Sequence, residues 1–322
     1  GFTGGEGALV IGLDKAVLWT DSRYTEQAVQ QSGSWYDIEN HQGALARSIR
    51  QSLTDMDLGV AAYEENFMTH YLYEAIADGA LCGFLPCDMT GLRAVKESYE
   101  LEATRKASQI ADQAFSDLLP YIKPGVTEKE MAARLESNML LLGSEEKSFT
   151  TIVASGKRSA MPHGTASPKV IEKGDFVTFD FGAVWDGYHS DITRTVVVGK
   201  ATQAQKDFYN LILEGQKMGV SLVKAGSSCR AIDYAVRNYF AGYHVSQYFT
   251  HSLGHGTGLE IHEQPVLSPR STGVLQENMI VTVEPGLYIE GKFGVRIEDS
   301  VAVTADGCEI LTKTPKELME LL

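Results

Sequence analysis

Cysteine is scarce in this sequence: four in 322 residues, Cys82, Cys87, Cys229 and Cys308, scattered along the chain. Cys82 and Cys87 stand close enough to share a metal, but no second Cys or His pair accompanies them. They read as reduced, structural thiols of a cytoplasmic protein, with a zinc finger or a disulfide as the alternatives. No apolar run approaches the roughly 18 residues of a membrane span. Nor does a basic segment followed by an apolar one open the chain, as a secretory signal would. Positive charge is also short: 28 Lys and Arg face 42 Asp and Glu, for a net charge of −14. Such a surface repels phosphate backbones and anionic lipid, which argues against nucleic acid or a membrane as the main partner. What is present is a 43% hydrophobic chain, ordinary for a globular protein and long enough for more than one domain.

Residues 1–92 read as a small α/β domain and residues 93–322 as a larger one. In the first, "GALVIGLDKAVLWTD" reads as two strands about a Leu-Asp-Lys turn. "YEENFMTHYLYEAIADG" reads as a helix ended by Gly79, and "CGFLPCDMTGLRAVK" as a strand with a connection. In the second, "YELEATRKASQIADQAFSDLLPYI" sets Ile110, Ala114, Phe115, Leu118 and Leu119 on one helical face. Thr127-x-x-Glu130 is a capping box for a further helix ending at Gly143. This larger part repeats itself faintly. "IKPGVTEKEMAARLE" resembles "VKAGSSCRAIDYAVR", 101 residues later, and "VTFDFG" resembles "VTVEPG". The alignment matches His163 with His262, Asp180 with Glu284, and Asp191 with Glu298. A duplicated half-barrel would present its carboxylates from two sides of one cavity.

The stretch "GDFVTFDFGAVWDGYHSDITRT" carries the chemistry. Asp186-Gly187 is a two-residue hairpin turn, which pairs residue i with residue 373 − i. Asp180 then faces Thr193, and Asp191 faces Gly182. Strand side chains alternate, so Asp180 and Asp191 share a face as diagonal neighbours. They repel each other unless a cation lies between them. Arg296 and Glu298, two apart, are expected to share a face of one strand, with Arg296 engaged by Glu298. His251 and His255 have the i, i+4 spacing of a helical zinc motif, but Gly254, Gly256 and Gly258 disfavour a helix there. Each acid alone reads as a solvated or salt-bridged group, and each histidine alone as structural. Together, four acids at repeat-related positions and a histidine in a glycine-rich loop read as a shared metal site. The set is rich in oxygen, which suits Mn²⁺, Co²⁺, Fe²⁺ or Zn²⁺. Two such ions would sit about 3.5–4 Å apart.

The ordered motifs "GFTGGEG", "TDSRYTEQA", "SFTTIVASGKRSAMPHG", "DFGAVWDGYHSDITRT", "FTHSLGHGTGLEIHE", "VTVEPGLY" and "GVRIEDSVAV" resemble those of the pita-bread metallopeptidases. Within that family the likeness is to Xaa-Pro aminopeptidases (aminopeptidase P) and Xaa-Pro dipeptidases (prolidases). The resemblance implies an α+β, pita-bread catalytic domain with an internal pseudo-duplication, behind a small creatinase-like α/β domain. It also implies a first strand and helix before "GFTG" that this sequence does not contain. By resemblance Asp180, Asp191, His255, Glu284 and Glu298 are metal ligands, with Asp191 and Glu298 bridging two divalent ions. Manganese is the first expectation for both, with cobalt or zinc as alternatives. His163, His251 and His262 match substrate and transition-state histidines, and Arg296 an arginine beside the bridging glutamate. Glu284 would also carry the proton of the attacking water. The implied substrates are Xaa-Pro peptides and the implied assembly a homodimer.

An Xaa-Pro aminopeptidase is the favoured reading and an Xaa-Pro dipeptidase the alternative. A methionine aminopeptidase, a metal-free creatinase-type hydrolase and an inactive binding module are more remote, because the ligand set is intact and an extra domain precedes it. The stretches "SGKRSAMPHG" and "THSLGHGTGLEIHEQP" resemble the small bacterial aminopeptidase P type more than the longer prolidases, and the choice also rests on a clamp for the carboxylate after proline, usually Arg or His. Arg158, in the loop before His163, is the one arginine of the motifs expected to be free for it. If Arg158 faces solvent, the site stays open beyond proline, as an aminopeptidase requires.

Overall fold

The computed structural model describes residues 1–321, and the chain divides into two compact units, Gly1–Met89 and a second from Thr90 onward. In the first unit, β1 (Gly7–Ile11), β2 (Ala16–Thr20), α1 (Thr25–Ser32) and β3 (Asp37–Asn40) precede α2 (Leu45–Asp55), β4 (Val60–Glu64), α3 (His70–Ala77) and β5 (Gly83–Cys87). β2 pairs antiparallel with β1 and parallel with β3, while β4 and β5 form a separate parallel pair. Val10, Ile49, Leu53 and Ile76 make its small core. The helix expected from Tyr63 to Gly79 forms only in its second half. Tyr63 and Glu64 are drawn into β4 by pairing with Pro86 and Cys87, and Thr69 caps what remains by accepting from the Leu72 N–H at 3.2 Å.

The second unit is built twice over. Its first half comprises α4 (Ser98–Leu118), α5 (Glu128–Leu141), β6 (Ile152–Ser155), β7 (Phe176–Phe181), β8 (Val184–Trp185), β9 (Tyr188–His189) and β10 (Ile192–Val198). The second half comprises α6 (Gln203–Ser221), α7 (Cys229–Gly242), β11 (Gly254–Gly256), β12 (Glu263–Leu267), β13 (Ile280–Val283), β14 (Gly286–Ile289), β15 (Phe293–Arg296), β16 (Asp299–Val303) and β17 (Cys308–Ile310). β18 (Glu320–Leu321) then returns to pair beside β10. One sheet has the order β18-β10-β7-β6 and the other β12-β11-β13-β16-β17. The antiparallel trio β10-β7-β6 of one sheet thus corresponds to β16-β13-β11 of the other, each preceded by two helices. The capping box of α5 forms as the sequence indicates: Thr127 Oγ1 accepts from the Glu130 N–H at 3.2 Å, and Glu130 accepts from the Thr127 N–H at 2.6 Å.

Alternation in β7 decides what the site receives. Val177, Phe179 and Phe181 face α4 and α5, joining Ile110, Ala114, Phe115 and Leu118 in one core. Thr178 and Asp180 therefore face the other way. The pairing Asp180↔Thr193 and Ile192↔Phe181 reproduces the register expected from the Asp186-Gly187 turn. In the second half, β13 with β16 and β14 with β15 share one register, in which residue i faces 582 − i. Glu284 and Glu298, at the interruption between these strand pairs, are thus opposite each other. Among the described residues no helix is long and apolar enough to cross a membrane.

Phe115 backs the strand that carries Asp180. It is wholly buried, stacks on Phe181 with ring centroids 5.3 Å apart, and meets Phe179 edge-on at 5.4 Å. Phe115→Ala should therefore destabilise the larger unit by about 3–5 kcal/mol, read as a lowered urea midpoint. A midpoint within experimental error of the wild type would show that this packing is not what supports β7.

Candidate metal centre and active-site cavity

A cavity of about 410 Å³ opens in the second unit, walled by Phe149, Ile152, Pro162, Ile261 and a ring of polar groups. Every site residue expected from the sequence reaches it: His163, Asp180, Asp191, His251, His255, His262, Glu284, Arg296 and Glu298. Asp180 comes from β7, Asp191 from the residue before β10, and His255 from β11. Glu284 and Glu298 flank the β14–β15 hairpin, which Arg296 ends. Asp180, Asp191 and Glu298 each offer an oxygen, and these oxygens lie within 4.8 Å of one another. His255 Nε2 is 3.5 Å from Asp191 and 3.4 Å from Glu284. Those separations are long for hydrogen bonds but fit donors that share an ion.

The electrostatics show what is lacking. Burial, then the neighbouring Glu298, Asp180 and Glu284, raises the Asp191 carboxyl well above the usual range. Burial, then Glu284 and Asp180, does the same to Glu298. Burial pushes Glu284 up to about 8, against the opposing pull of Arg296. Glu298 Oε1 is buried without a hydrogen-bond partner among the described residues. A buried acceptor with no donor, inside a cluster of mutually repelling acids, is the signature of a cation-binding set. The histidine suits that role. His255 Nδ1 faces the Gly256 carbonyl at 3.0 Å, so with the proton there Nε2 keeps its lone pair for the cluster. Burial lowers the pKa of His255, which favours the neutral, ligating form. The donor set therefore fits divalent cations.

Arg296 does not sit as the sequence suggests. Glu298 lies beyond the end of β15, and the guanidinium turns to Asp180 instead, at 2.5 Å. Its Nε donates to Thr193 Oγ1 at 3.0 Å, and Thr193 donates to Glu298 Oε2 at 2.6 Å, so a hydroxyl relays between arginine and glutamate. Its Nη1 donates to the Tyr288 hydroxyl at 2.7 Å and to the Pro162 carbonyl at 3.1 Å. Burial pushes the Tyr288 hydroxyl up to about 12, so it stays protonated and can donate to His251 Nε2, 3.0 Å away. His251 Nδ1 meets the Ser252 carbonyl at 2.7 Å. Both ring nitrogens of His251 are thus occupied, and burial drives its pKa down to about 3. It braces Tyr288 as a neutral imidazole. His163, His251 and His262 all line the cavity.

Arg158 is absent from the cavity wall. It is paired with the buried Glu128 and donates to the Thr165 carbonyl at 2.8 Å, so it is neither a carboxylate clamp nor a group free in solvent. Residues that sequence reasoning passed over include Tyr288, Thr193 and Thr282. Thr282 Oγ1 accepts from the His255 N–H at 3.0 Å and donates to Glu284 at 3.2 Å. Thr193 was legible as the partner that the hairpin register sets opposite Asp180. Nothing in the sequence marks Tyr288 beyond its place in "VTVEPGLY". Two further ion pairs hold the histidine loops. Lys96 meets Glu263, beside His262, at 2.8 Å with both side chains buried. Asp233 binds Arg237, which donates to the carbonyls of Phe249 and His251.

Comparison with known proteins agrees with this architecture. Residues 102–305 match metallopeptidase family M24, and residues 1–95 match the creatinase/prolidase N-terminal domain. The structure of an Xaa-Pro dipeptidase from Bacillus anthracis superimposes with a TM-score of 0.97 at 45% identity, covering 99% of this chain and 90% of that one. An X-Pro aminopeptidase from Thermotoga maritima gives 0.93 at 39% identity, covering 99% and 91%. In sequence, an Xaa-Pro dipeptidase of Pyrococcus furiosus is 47% identical over 228 residues, which are 71% of this chain and 66% of that protein. With both domains matched and the cavity's donor set intact, the chain belongs to the pita-bread peptidases of metallopeptidase family M24 and is a metal-dependent hydrolase.

Proposed function

We propose that the protein is an Xaa-Pro dipeptidase, releasing proline from Xaa-Pro. The observation that carries this reading is the similarity, over 99% of the chain, to the Bacillus anthracis Xaa-Pro dipeptidase, whose identity and TM-score exceed those of the Thermotoga maritima aminopeptidase. This reverses the preference drawn from the motifs, which had rested on their likeness to aminopeptidase P and on Arg158. One observation favours the X-Pro aminopeptidase as a second reading: among the described residues Arg296 is the only arginine in the cavity wall, and its donors are already engaged. In a dipeptidase the substrate carboxylate would therefore fall to the imidazole of His163.

Asp180, Asp191, His255, Glu284 and Glu298 would hold two divalent cations, manganese first, with Asp191 and Glu298 shared between them. Bound there, such cations lower the pKa of a water and offset charge growing on a carbonyl oxygen. The protein's own groups supply the remainder. Glu284 can take a proton from the attacking water and return it to the leaving nitrogen. His262, on the wall beside His255 with ring centroids 4.4 Å apart, can donate to the carbonyl oxygen. The apolar flank of Phe149, Ile152 and Ile261 suits a proline ring. Proline offers no N–H to grip, so shape and apolar contact must recognise it.

Three measurements test this. On Ala-Pro against Ala-Pro-Ala, kcat/KM should favour the dipeptide by at least tenfold; a preference for the tripeptide would establish the aminopeptidase instead. Elemental analysis of variants should find both ions lost from Asp191→Ala and Glu298→Ala, one kept in Asp180→Ala, and both kept in His163→Ala. Equal loss from all four contradicts the roles.

The third is the pH dependence of stability. The raised carboxyls keep protons in the folded, metal-free protein that the unfolded chain releases. Glu284, moved from 4.5 to about 8, sets the window. Below about 6.5 the buried, neutral His251 opposes this, because the unfolded chain takes up its proton, so stability of the metal-free form should fall as pH rises from 6.5 to about 8. Saturating Mn²⁺, which favours the ionised carboxylates, should raise Tm most at the upper end. A metal-free Tm that climbs over that pH range would sink the idea.

A further inference from the structure

We propose that Glu128 and Arg158 form a positioning pair that fixes His163 at the cavity wall, so that turnover depends on a carboxylate remote from the reacting atoms. This rests on the functional reading above, in which His163 meets substrate. Glu128 opens α5 and is fully buried. A carboxylate taken out of water must find protein donors, and this one finds five. Oε1 accepts from the Ser155 N–H at 2.7 Å and from the Ser155 hydroxyl at 2.8 Å. Oε2 accepts from the Ser167 N–H at 3.0 Å, from the Ser167 hydroxyl at 2.6 Å, and from Arg158 Nη1.

Ser155 ends β6 and Ser167 lies beyond His163, so one carboxylate ties both ends of the segment that carries the histidine. Arg158 adds an internal strut. Its Nη2 donates to the Thr165 carbonyl at 2.8 Å, and the Thr165 N–H donates to the His163 carbonyl at 2.9 Å. From the far side, Arg296 holds the Pro162 carbonyl. Pro162, His163 and Thr165 line the cavity, whereas neither Glu128 nor Arg158 does. The pair acts through the loop, not on the substrate. A buried ion pair contributes little net stability relative to an apolar pair of the same volume, but its directed donors hold one conformation of an irregular segment. The other half of the fold uses the same device, where Asp233 and Arg237 grip the loop of His251.

A double-mutant cycle on kcat tests the proposal, using the Mn²⁺-loaded enzyme with Glu128→Gln, His163→Ala and both together. Glu128→Gln keeps the shape and removes the charge. It should lower kcat about 10- to 100-fold with metal content unchanged, and should cost nothing further when added to His163→Ala. Arg158→Ala, which leaves Glu128 its four serine donors, is the second variant and should show the same lack of additivity. Hydrogen exchange needs no substrate: the amides of Met161, His163, Gly164 and Thr165 should exchange at least tenfold faster in Glu128→Gln and in Arg158→Ala. Losses that multiply in the double variant, or wild-type kcat with wild-type exchange in Glu128→Gln, would overturn the proposal. The cycle is run on whichever of Ala-Pro and Ala-Pro-Ala the wild type cleaves faster. A tripeptide preference would then refute the dipeptidase reading and leave the positioning result standing.

Discussion

Asp180, Asp191, Glu284 and Glu298 crowd one buried cavity with a single guanidinium among them, and their mutual repulsion governs what surrounds them. Unlike charges on a surface, they cannot turn away into water. Each is fixed within or directly beside a strand, and each strand is backed by a helical pair through a cluster of buried apolar side chains. Arg296 neutralises Asp180 directly and reaches Glu298 only through Thr193. The remaining acids are left to raised pKa values in the metal-free protein. Such an arrangement is costly for stability alone. It is favourable once divalent charge enters, which is why the burial and the metal chemistry are one property and not two.

Duplication explains how a chain assembles such a set. One antiparallel pair, β7 with β10, brings Asp180 and Asp191 together, and the equivalent region of the second half brings Glu284 and Glu298. Neither half supplies the whole donor set by itself. The halves also differ in detail. In the first the acids are diagonal neighbours across a tight turn. In the second they stand opposite each other where the strands are interrupted between Val283 and Gly286 and between Arg296 and Asp299.

Much of this is legible in the sequence where local rules suffice. Asp186-Gly187 sets a two-residue turn, and the register that puts Asp180 opposite Thr193 follows by counting. The Thr127 and Glu130 box marks the start of α5, and three glycines about His255 disfavour a helix there. What fails is whatever depends on a partner distant in sequence. The β14–β15 loop is too long for its turn chemistry to fix a register, so Arg296 could not be seen to leave Glu298 for Asp180. The start of the expected helix at Tyr63 was claimed by a strand twenty residues on. Arg158 seemed free only because Glu128, thirty residues earlier, carries no local sign of facing it.

The division of labour between strands and loops follows from how precisely each group must be held. Groups that converge on one cluster tolerate little error, and His255 sits where backbone neighbours leave no room to move. A Cβ at Gly254 would lie 1.9 Å from the Thr282 carbonyl oxygen, and one at Gly256 would lie 2.3 Å from that of Gln264. His255 is therefore clamped between two strands by glycines that only close backbone contact explains. Histidines that meet a substrate must stand at the rim, where sheets have ended and loops begin. A loop has no ladder of hydrogen bonds to fix it, and buried ion pairs supply the missing constraint: Glu128 with Arg158, Asp233 with Arg237, and Lys96 with Glu263. Each lies outside the metal cluster, so the charges that fix the loops do not compete with those that bind the ions.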